Sequence, residues 1–416
     1  MKFAPPSANR CLVCCNLPGI DGFIPSVDPP PDQGVTVSAV QNVGIVGAGA
    51  AGLATAILLA EAGADVVVYE AKPTLGALGS GITLQGNALR ALDRLGVWDQ
   101  VRERSFSFDL LGIRAPGPEA PLVAEMPDNK MGGPDYPATA GMYRPDLAEI
   151  MLARARELGA TVRSGTRVTA LTQTDGAVTL ALETDAGAEQ VTHELVVGAD
   201  GLNSAVRDLI GIETRPEPNG MGIFRAFVRR PAEADHTELV FGGPSYIAGF
   251  CPTGEDTMYA YLVEDKQDRQ GMTPEEGSKI MAEMARPYGA HWNAIRAQLE
   301  EGVEHLNYTW FTSHVVAEPW NRGRVVIIGD AAHSCPPTVA QGAAQALEDA
   351  LVLGDVLTRH ATVSDELWAE FHERRVPRAT TVVEASNQIA SWLLAHERGD
   401  VQGMHTTISD LVSQEP

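Results

Sequence analysis

Two aspartates, one glutamate and a run of glycines carry the chemistry legible in this chain. Residues 42–52 read Asn-Val-Gly-Ile-Val-Gly-Ala-Gly-Ala-Ala-Gly, a short apolar strand running straight into Gly47, Gly49 and Gly52. In a dinucleotide fingerprint the first glycine permits the sharp turn and the second lets backbone approach a pyrophosphate. The third lets helix and strand pack closely. Glu70 follows about 20 residues later, where an acid grips a ribose diol. Asp200 sits in Gly198-Ala199-Asp200-Gly201 after an apolar run, and Asp330 follows the apolar run 325–328 in Gly329-Asp330. A carboxylate at the carboxyl end of a parallel strand faces the crevice where ligands bind. Three such junctions, in this order, point to one dinucleotide lying along the strand ends of a single sheet.

Those groups need a scaffold, and hydrophobic periodicity supplies one. Residues 50–63 are rich in Ala, Leu, Ile and Glu, place Leu53, Ile57, Leu58 and Ala62 on one stripe, and stop at Gly63, which reads as a helix. Strand 65–69 completes a βαβ unit. The glycine-rich stretch 76–84 reads as a loop. Helices over 86–95 and 146–158 follow, then strands over 161–163, 166–173, 177–184 and 189–192, with Asp175-Gly176 as a hairpin turn. Residues 106–140 are loop-rich around an extended 108–113. From 216 to 317 aromatic-rich strands (221–229, 237–241, 246–251, 257–263) precede helices near 274–285 and 290–300, the pattern of a mostly antiparallel sheet with helical cover. An apolar strand, a loop stiffened by Pro336 and Pro337, and a long Ala/Leu helix after Gly342 return to the first architecture. Helices over 364–395 finish the fold, and the final stretch has no clear role.

The expected fold is α/β: a Rossmann-like, three-layer domain over 40–215 and 318–375, with an inserted, mostly antiparallel β-sheet substrate domain over 216–317 that takes in part of 106–140. C-terminal helices and a tail occupy 376–416. At 416 residues the chain is long enough for two domains with cores of their own. With 54 Asp and Glu against 31 Lys and Arg the formal charge is −23, which argues against nucleic acid or an anionic membrane, since both need basic patches. No apolar run approaches the roughly 18 residues of a spanning helix. Cysteines at 11, 14, 15, 251 and 335 leave only two, far apart, in the main body, which fits a reducing cytoplasm. Residues 1–38, broken by Pro5, Pro6, Pro18, Pro25 and the run 29–31, are expected to be a disordered tail. Cys11-x-x-Cys14-Cys15 lacks a second pair at zinc spacing, so no metal is expected.

With the junctions in order, the chain resembles the class A flavoprotein aromatic hydroxylases, the family built on the 4-hydroxybenzoate hydroxylase fold. The resemblance covers residues 42 to about 375. It rests on G-x-G-x-x-G at 47–52, G-A-D-G-x-x-S-x-x-R at 198–207 and G-D-A-A-H…P-P…Q-G-A…E-D at 329–349. It implies FAD as the bound dinucleotide and NADH or NADPH as a transient cosubstrate. It further implies that Gly47, Gly49, Ala50, Ala51 and Gly52 hold the pyrophosphate, Glu70 the adenosine ribose, Arg144 the phosphate or ribityl region, and Asp330 the ribityl hydroxyls. Val168 joins the implied cofactor contacts. The amides of Gly342 and Ala343 would face the flavin ring, where a helix N-terminus suits the negative charge that develops on reduction. Asp200 and Arg207 would serve both FAD and the nicotinamide. Ala71-Lys72 stand where many relatives carry Arg directly after the acid, which leaves NADH versus NADPH open.

The implied activity is hydroxylation of a small aromatic or heteroaromatic substrate by O₂ and NAD(P)H through a C4a-hydroperoxyflavin, in a cytoplasmic monomer or homodimer. On the substrate side Arg225, flanked by Phe224 and Phe227, is the candidate contact, against a plain surface strand cation. Tyr246 and Tyr261 are candidate pocket residues, against ordinary core tyrosines. His314 is a candidate for proton transfer, against a satisfied loop histidine, and His333 reads as structural. Pro336 and Pro337 would stiffen the loop beside flavin and substrate. A flavin halogenase needs Gly-Trp-x-Trp-x-Ile-Pro, a spacing the tryptophans here never meet, and a disulfide reductase needs a Cys pair where none lies between 15 and 251. An FAD-dependent reductase or dehydrogenase without oxygen insertion is the alternative.

Overall fold

Fully apolar strands with no polar alternation belong in a parallel sheet covered on both faces, and the chain puts them there. In the computed structural model, which describes residues 38–74, 81–317 and 319–416, six strands run in the order Asn321–Arg322, Val325–Ile327, Leu195–Gly198, Asn42–Val46, Asp65–Glu70 and Thr161–Ser164. All neighbours pair in parallel except the two-residue edge strand Asn321–Arg322. Helices Ala50–Glu61, Arg144–Glu157 and Gly342–Arg359 share one core with this sheet, and a small antiparallel sheet (Arg167–Gln173, Val178–Thr184, Gly187–His193) adds Val168, Val178, Leu180 and Leu182 to it. The expected tail over 1–38 lies outside the described residues apart from Ser38. So do residues 76–80 of the expected loop; its remainder pairs instead as strand Gly81–Gln85.

The second sheet has eight strands in the order His333–Ser334, Leu306–Val315, Glu217–Arg229, Thr257–Asp265, Ile247–Pro252, Thr237–Phe241, Leu110–Arg114 and Leu122–Pro127. It is antiparallel apart from the pair Thr237–Phe241 and Leu110–Arg114. Phe224, Phe250 and Leu262 pack from it onto Trp292, Ile295 and Leu299 of the covering helices. The extended 108–113 proves to be two strands. Ser105–Phe108 joins Gly81–Gln85 and Thr139–Tyr143 in a small sheet, while Leu110–Arg114 joins the large one. Asp109 makes the break, its carboxylate accepting the Ala138 N–H at 2.8 Å.

The C-terminal region departs most from expectation. Asp365–Leu394 is a single helix of 30 residues that carries Pro377 inside it. Beyond it Val401–Ser413 is helical and buries Ile408 and Val412, a four-residue repeat that its polar neighbours mask. No helix among the described residues is long and apolar enough to cross a membrane.

Candidate functional site

A cavity of about 810 Å³ runs from the strand ends of the parallel sheet to the face of the eight-stranded one. The glycine turn forms one end of it. Gly47 has φ +103°, and a Cβ there would meet the Ala199 carbonyl oxygen at 2.3 Å. A Cβ at Gly52 would meet the Gly47 oxygen at 2.0 Å, whereas one at Gly49 would have nothing within 4 Å. The turn is therefore closed on the protein side and open on the cavity side. Helix Ala50–Glu61 starts at Gly49 with no side-chain cap and no acid in its first turn, so its leading amides are left for an anion. Glu70 sits beside them, accepting the Ala48 N–H at 3.0 Å and the Lys72 N–H at 2.9 Å.

The middle of the cavity is built by the third junction. Asp330 opens into it; the surrounding protein withholds bulk water and pushes its carboxyl up, while the charges of His333 and Arg144 pull it back. Helix Gly342–Arg359 presents a second N-terminus without a side-chain cap, and the space over Gly342 is again empty within 4 Å. Gly49, Ala50, Ala51, Glu70, Arg144, Asp330, Gly342 and Ala343 thus line one cavity. An open glycine cradle, a fixed acid about where a ribose falls, and a second bare helix N-terminus fit the pyrophosphate, ribose and ring of FAD.

Other expected groups face elsewhere. Asp200 accepts the Ser204 hydroxyl at 2.5 Å and the Val206 N–H at 3.0 Å, so it organises the turn into helix Ala205–Leu209; its neighbours Ala199, Gly201 and Leu202 line the cavity and Asp200 does not. Val168 is packed in the main core. Tyr246 donates to Asp265 at 2.6 Å and stacks on His396, away from the cavity. Pro336 is buried behind Pro337, which does line the wall. His314 is buried, with Nδ1 2.8 Å from the Ser334 hydroxyl and Nε2 3.2 Å from Arg207 Nη1. Because the guanidinium can only donate, Nε2 accepts and Nδ1 carries the proton. Burial, then the Arg207 charge, lowers this histidine to about 4. It holds Ser334, which lines the cavity, and does not line it itself.

The far end carries Arg225, Tyr259 and Tyr261 from adjacent strands, with Arg225 directly opposite Tyr261. Arg225 is half-buried; burial lowers its guanidinium to about 10, which leaves it charged at neutral pH, and it donates to the Thr309 hydroxyl at 2.8 Å. Burial raises both phenols above their usual range, so they are neutral donors. Tyr259 was not among the expected residues, although the two-residue strand period places it on the face of Tyr261; its hydroxyl lies 2.5 Å from that of Thr83. Cys335, Gln402 and His405 also line the cavity without having been expected.

The loop from Asp330 to Gly342 is held from behind by a buried polar network. Asp349 accepts the Gly329 N–H at 2.8 Å, His333 Nε2 at 2.7 Å and Arg375 Nε at 2.7 Å. Burial opposes ionisation of Asp349, but the His333 and Arg375 charges override it and hold the carboxyl at about 2. Gln341, just before the Gly342 helix, is tied through Asn87 to Glu348. His333 therefore has a structural role.

An FAD binding domain family matches residues 40–386 of the chain. The chain is 30% identical over 373 residues to the 6-hydroxynicotinate 3-monooxygenase of Bordetella bronchiseptica, which spans 86% of this chain and 94% of that protein. It is 29% identical over 362 residues to the 3-amino-4-hydroxybenzoate 2-monooxygenase of Streptomyces cremeus, covering 84% and 86% of the two chains. The tetrameric form of 2-methyl-3-hydroxypyridine-5-carboxylic acid oxygenase matches its fold with a TM-score of 0.75 at 25% identity, over 89% of this chain and 96% of that one.

Proposed function

This chain belongs to the FAD binding domain family, and on that premise we propose that its long cavity holds FAD and an aromatic ring together. It is an FAD-dependent monooxygenase that uses NAD(P)H and O₂ to hydroxylate a small aromatic substrate. The observation that carries the reading is the continuity of the cavity, from Gly49 and Glu70 past Asp330 and Gly342 to Arg225, Tyr259 and Tyr261.

Bound FAD supplies a ring that takes hydride from NAD(P)H and activates O₂ for transfer to an electron-rich carbon. The chain's own groups do the rest. The amides of Ala50, Ala51 and Gly52, backed by their helix dipole, offset the pyrophosphate charge. Glu70 uses its remaining lone pairs for ribose hydroxyls, and Asp330 accepts from the ribityl chain. Arg144 stands by the phosphates. The Gly342 and Ala343 amides donate to the ring edge where negative charge gathers. Arg225 draws an anionic substituent of the substrate, and the neutral Tyr259 and Tyr261 hydroxyls donate to its polar atoms. Leu111, Ile223, Leu239 and Val263 line the same end and keep water from the reacting ring. His314, with both nitrogens engaged, positions Ser334 and does not shuttle protons.

The sparse, separated cysteines of the main body support a cytoplasmic protein, and its acidic composition supports one that binds no nucleic acid. The test is NAD(P)H oxidation by the yellow holoprotein against phenols, benzoates, pyridines and quinolones under ¹⁸O₂. The expected result is ring-stimulated oxidation with a product one labelled oxygen heavier. Stimulated oxidation with no label in the product would instead select the reductase alternative.

A further inference from the structure

One wall of the cavity belongs to neither sheet. Helix Val401–Ser413 contributes Gln402 and His405 to it, one helical turn apart and so on one face. The same stripe is anchored further along the helix: Ile408 and Val412, three and seven residues past His405, pack with Met131, Val339, Val382 and Ile389. The last turn is anchored too. Arg90 donates to the carbonyls of Val412, Ser413 and Gln414 at 3.1, 2.9 and 3.0 Å. Arg378, itself held by buried Glu348, donates to those of Leu411 and Gln414 at 2.6 and 3.0 Å. A terminal helix ordinarily frays; this one is fixed by apolar contact on one side and by guanidinium groups at its end. Val339 of that contact lies in the loop that leads into the Gly342 helix, so the C-terminal helix packs against that loop.

Neither side chain spends its polar atoms on the protein. Among the described residues the His405 ring nitrogens and the Gln402 side-chain amide have no hydrogen-bond partner. The charge of Asp128, also a lining residue, acts on His405; its carboxylate accepts from the Asn129 N–H and the Thr139 hydroxyl. A neutral imidazole offers one donor and one acceptor, and the glutamine amide offers both as well. Groups so placed, rigidly backed and unpaired, suit a ligand's polar substituent.

We propose that His405 and Gln402 are specificity-determining residues that hydrogen-bond a hydroxyl, amino or ring N–H group of the aromatic substrate. The inference rests on the reading of the cavity as the site of ring hydroxylation. Arg225 attracts an anionic group, while the Asp128 charge beside His405 repels one and favours a donor. The compartment therefore selects a ring that bears an anion and a separate hydrogen-bond donor over a ring that bears the anion alone.

The test titrates the FAD-loaded enzyme with 3-hydroxybenzoate, 6-hydroxynicotinate, 3-amino-4-hydroxybenzoate and benzoate, following the flavin spectrum and NAD(P)H oxidation. Benzoate is expected to bind the native enzyme more weakly than the donor-bearing ring that binds best. His405→Ala and Gln402→Ala are each expected to raise Kd and KM for that ring about tenfold, with kcat within about twofold. His405→Gln, which keeps a donor and an acceptor, should recover most of the loss, and Thr407→Ala, exposed on the far side of the helix, should change nothing. FAD content should match the native enzyme in all four, and ring-free NAD(P)H oxidation should be unchanged in the Thr407→Ala control. Native-like Kd values for His405→Ala and Gln402→Ala would overturn the inference and leave the functional reading standing, as would loss of FAD by either variant. A native enzyme that binds none of these rings and is stimulated by no aromatic would overturn both.

Discussion

Glu348 receives both the Nε and the Nη2 of Arg378, at 2.7 and 2.9 Å, with both side chains buried. The pair joins the helix whose N-terminus opens on the cavity to the long helix that follows it. Through the carbonyls Arg378 also grips, it reaches the C-terminal helix as well. With Arg378 removed, Glu348 keeps the buried Arg375 Nη1 at 3.0 Å, so the loss is that of the charge-assisted contacts Arg378 makes, about 1.5–3 kcal/mol. Arg378→Ala is expected to lower the thermal midpoint by several degrees and to expose 401–416 to limited proteolysis before the rest of the chain. An unchanged midpoint with an intact C-terminus would show the pair to be dispensable.

The glycine turn separates a binding role from a folding role. Gly49→Val places its side chain in space where a Cβ meets nothing within 4 Å, whereas Gly52→Ala drives a methyl to 2.0 Å from the Gly47 oxygen. Gly49→Val should therefore give a folded, native-like circular dichroism spectrum with little bound flavin. Gly52→Ala should lose thermal stability as well. Equal flavin content in Gly49→Val and the native protein would remove this turn from the cofactor site.

His314 makes stability depend on pH in a known direction. Its value is lowered from 6.5 to about 4 by burial and then by Arg207, so on acidification the unfolded chain takes up the proton first. Stability from this group is fully present above about pH 6.5, falls by up to about 3 kcal/mol on the way to pH 4, and loses nothing more below that. The difference between the midpoint-versus-pH curves of native protein and His314→Gln should show that slope. Parallel curves would mean that His314 does not titrate as its burial requires.

Arg225 should act on substrate and not on cofactor. Losing a charge-assisted contact removes about 1.5–3 kcal/mol, so Arg225→Ala is expected to raise KM for an anionic ring on the order of ten- to a hundredfold with FAD content unchanged. Arg225→Lys keeps the charge but not the planar fork and should recover only part. A KM within twofold of the native value would reduce Arg225 to a strand cation.

Cys335 lines the cavity, yet burial pushes its thiol up to about 11. Its thiolate fraction near pH 8 is then on the order of one in a thousand. Iodoacetamide should alkylate it about tenfold or more slowly than an unshielded thiol, as read by peptide mass spectrometry, and Cys335→Ala should retain turnover. Rapid labelling would show that the thiol is not buried as described.

The residues that could be read in advance are those whose role is local. Gly47, Gly49, Gly52, Glu70 and Asp330 lie where a strand hands over to a loop, and an apolar run followed by glycine or acid announces that junction in one dimension. The antiparallel sheet was announced too, by strands rich in Phe and Tyr. Strand Leu306–Val315 went unread because its polar and aromatic residues show no clean alternation, and helix Val401–Ser413 because only Ile408 and Val412 mark its buried stripe. Asp200 and His314 had the right chemistry and the right neighbourhood, but a side chain bonds to whatever reaches it first. Ser204 and Val206 take the one, Arg207 and Ser334 the other.

The order of apolar strands and glycine turns is a short-range property, and by itself it determined the parallel sheet, the bare helix N-termini and the carboxylates at the strand ends. Which groups share a cavity is a long-range property. Arg225, Tyr259 and His405 stand far apart in the chain, and only sheet register and the buried arginine anchors bring them to one wall system. Those contacts form between segments whose patterns carry no record of each other, so the substrate end of the site exists only in the tertiary structure.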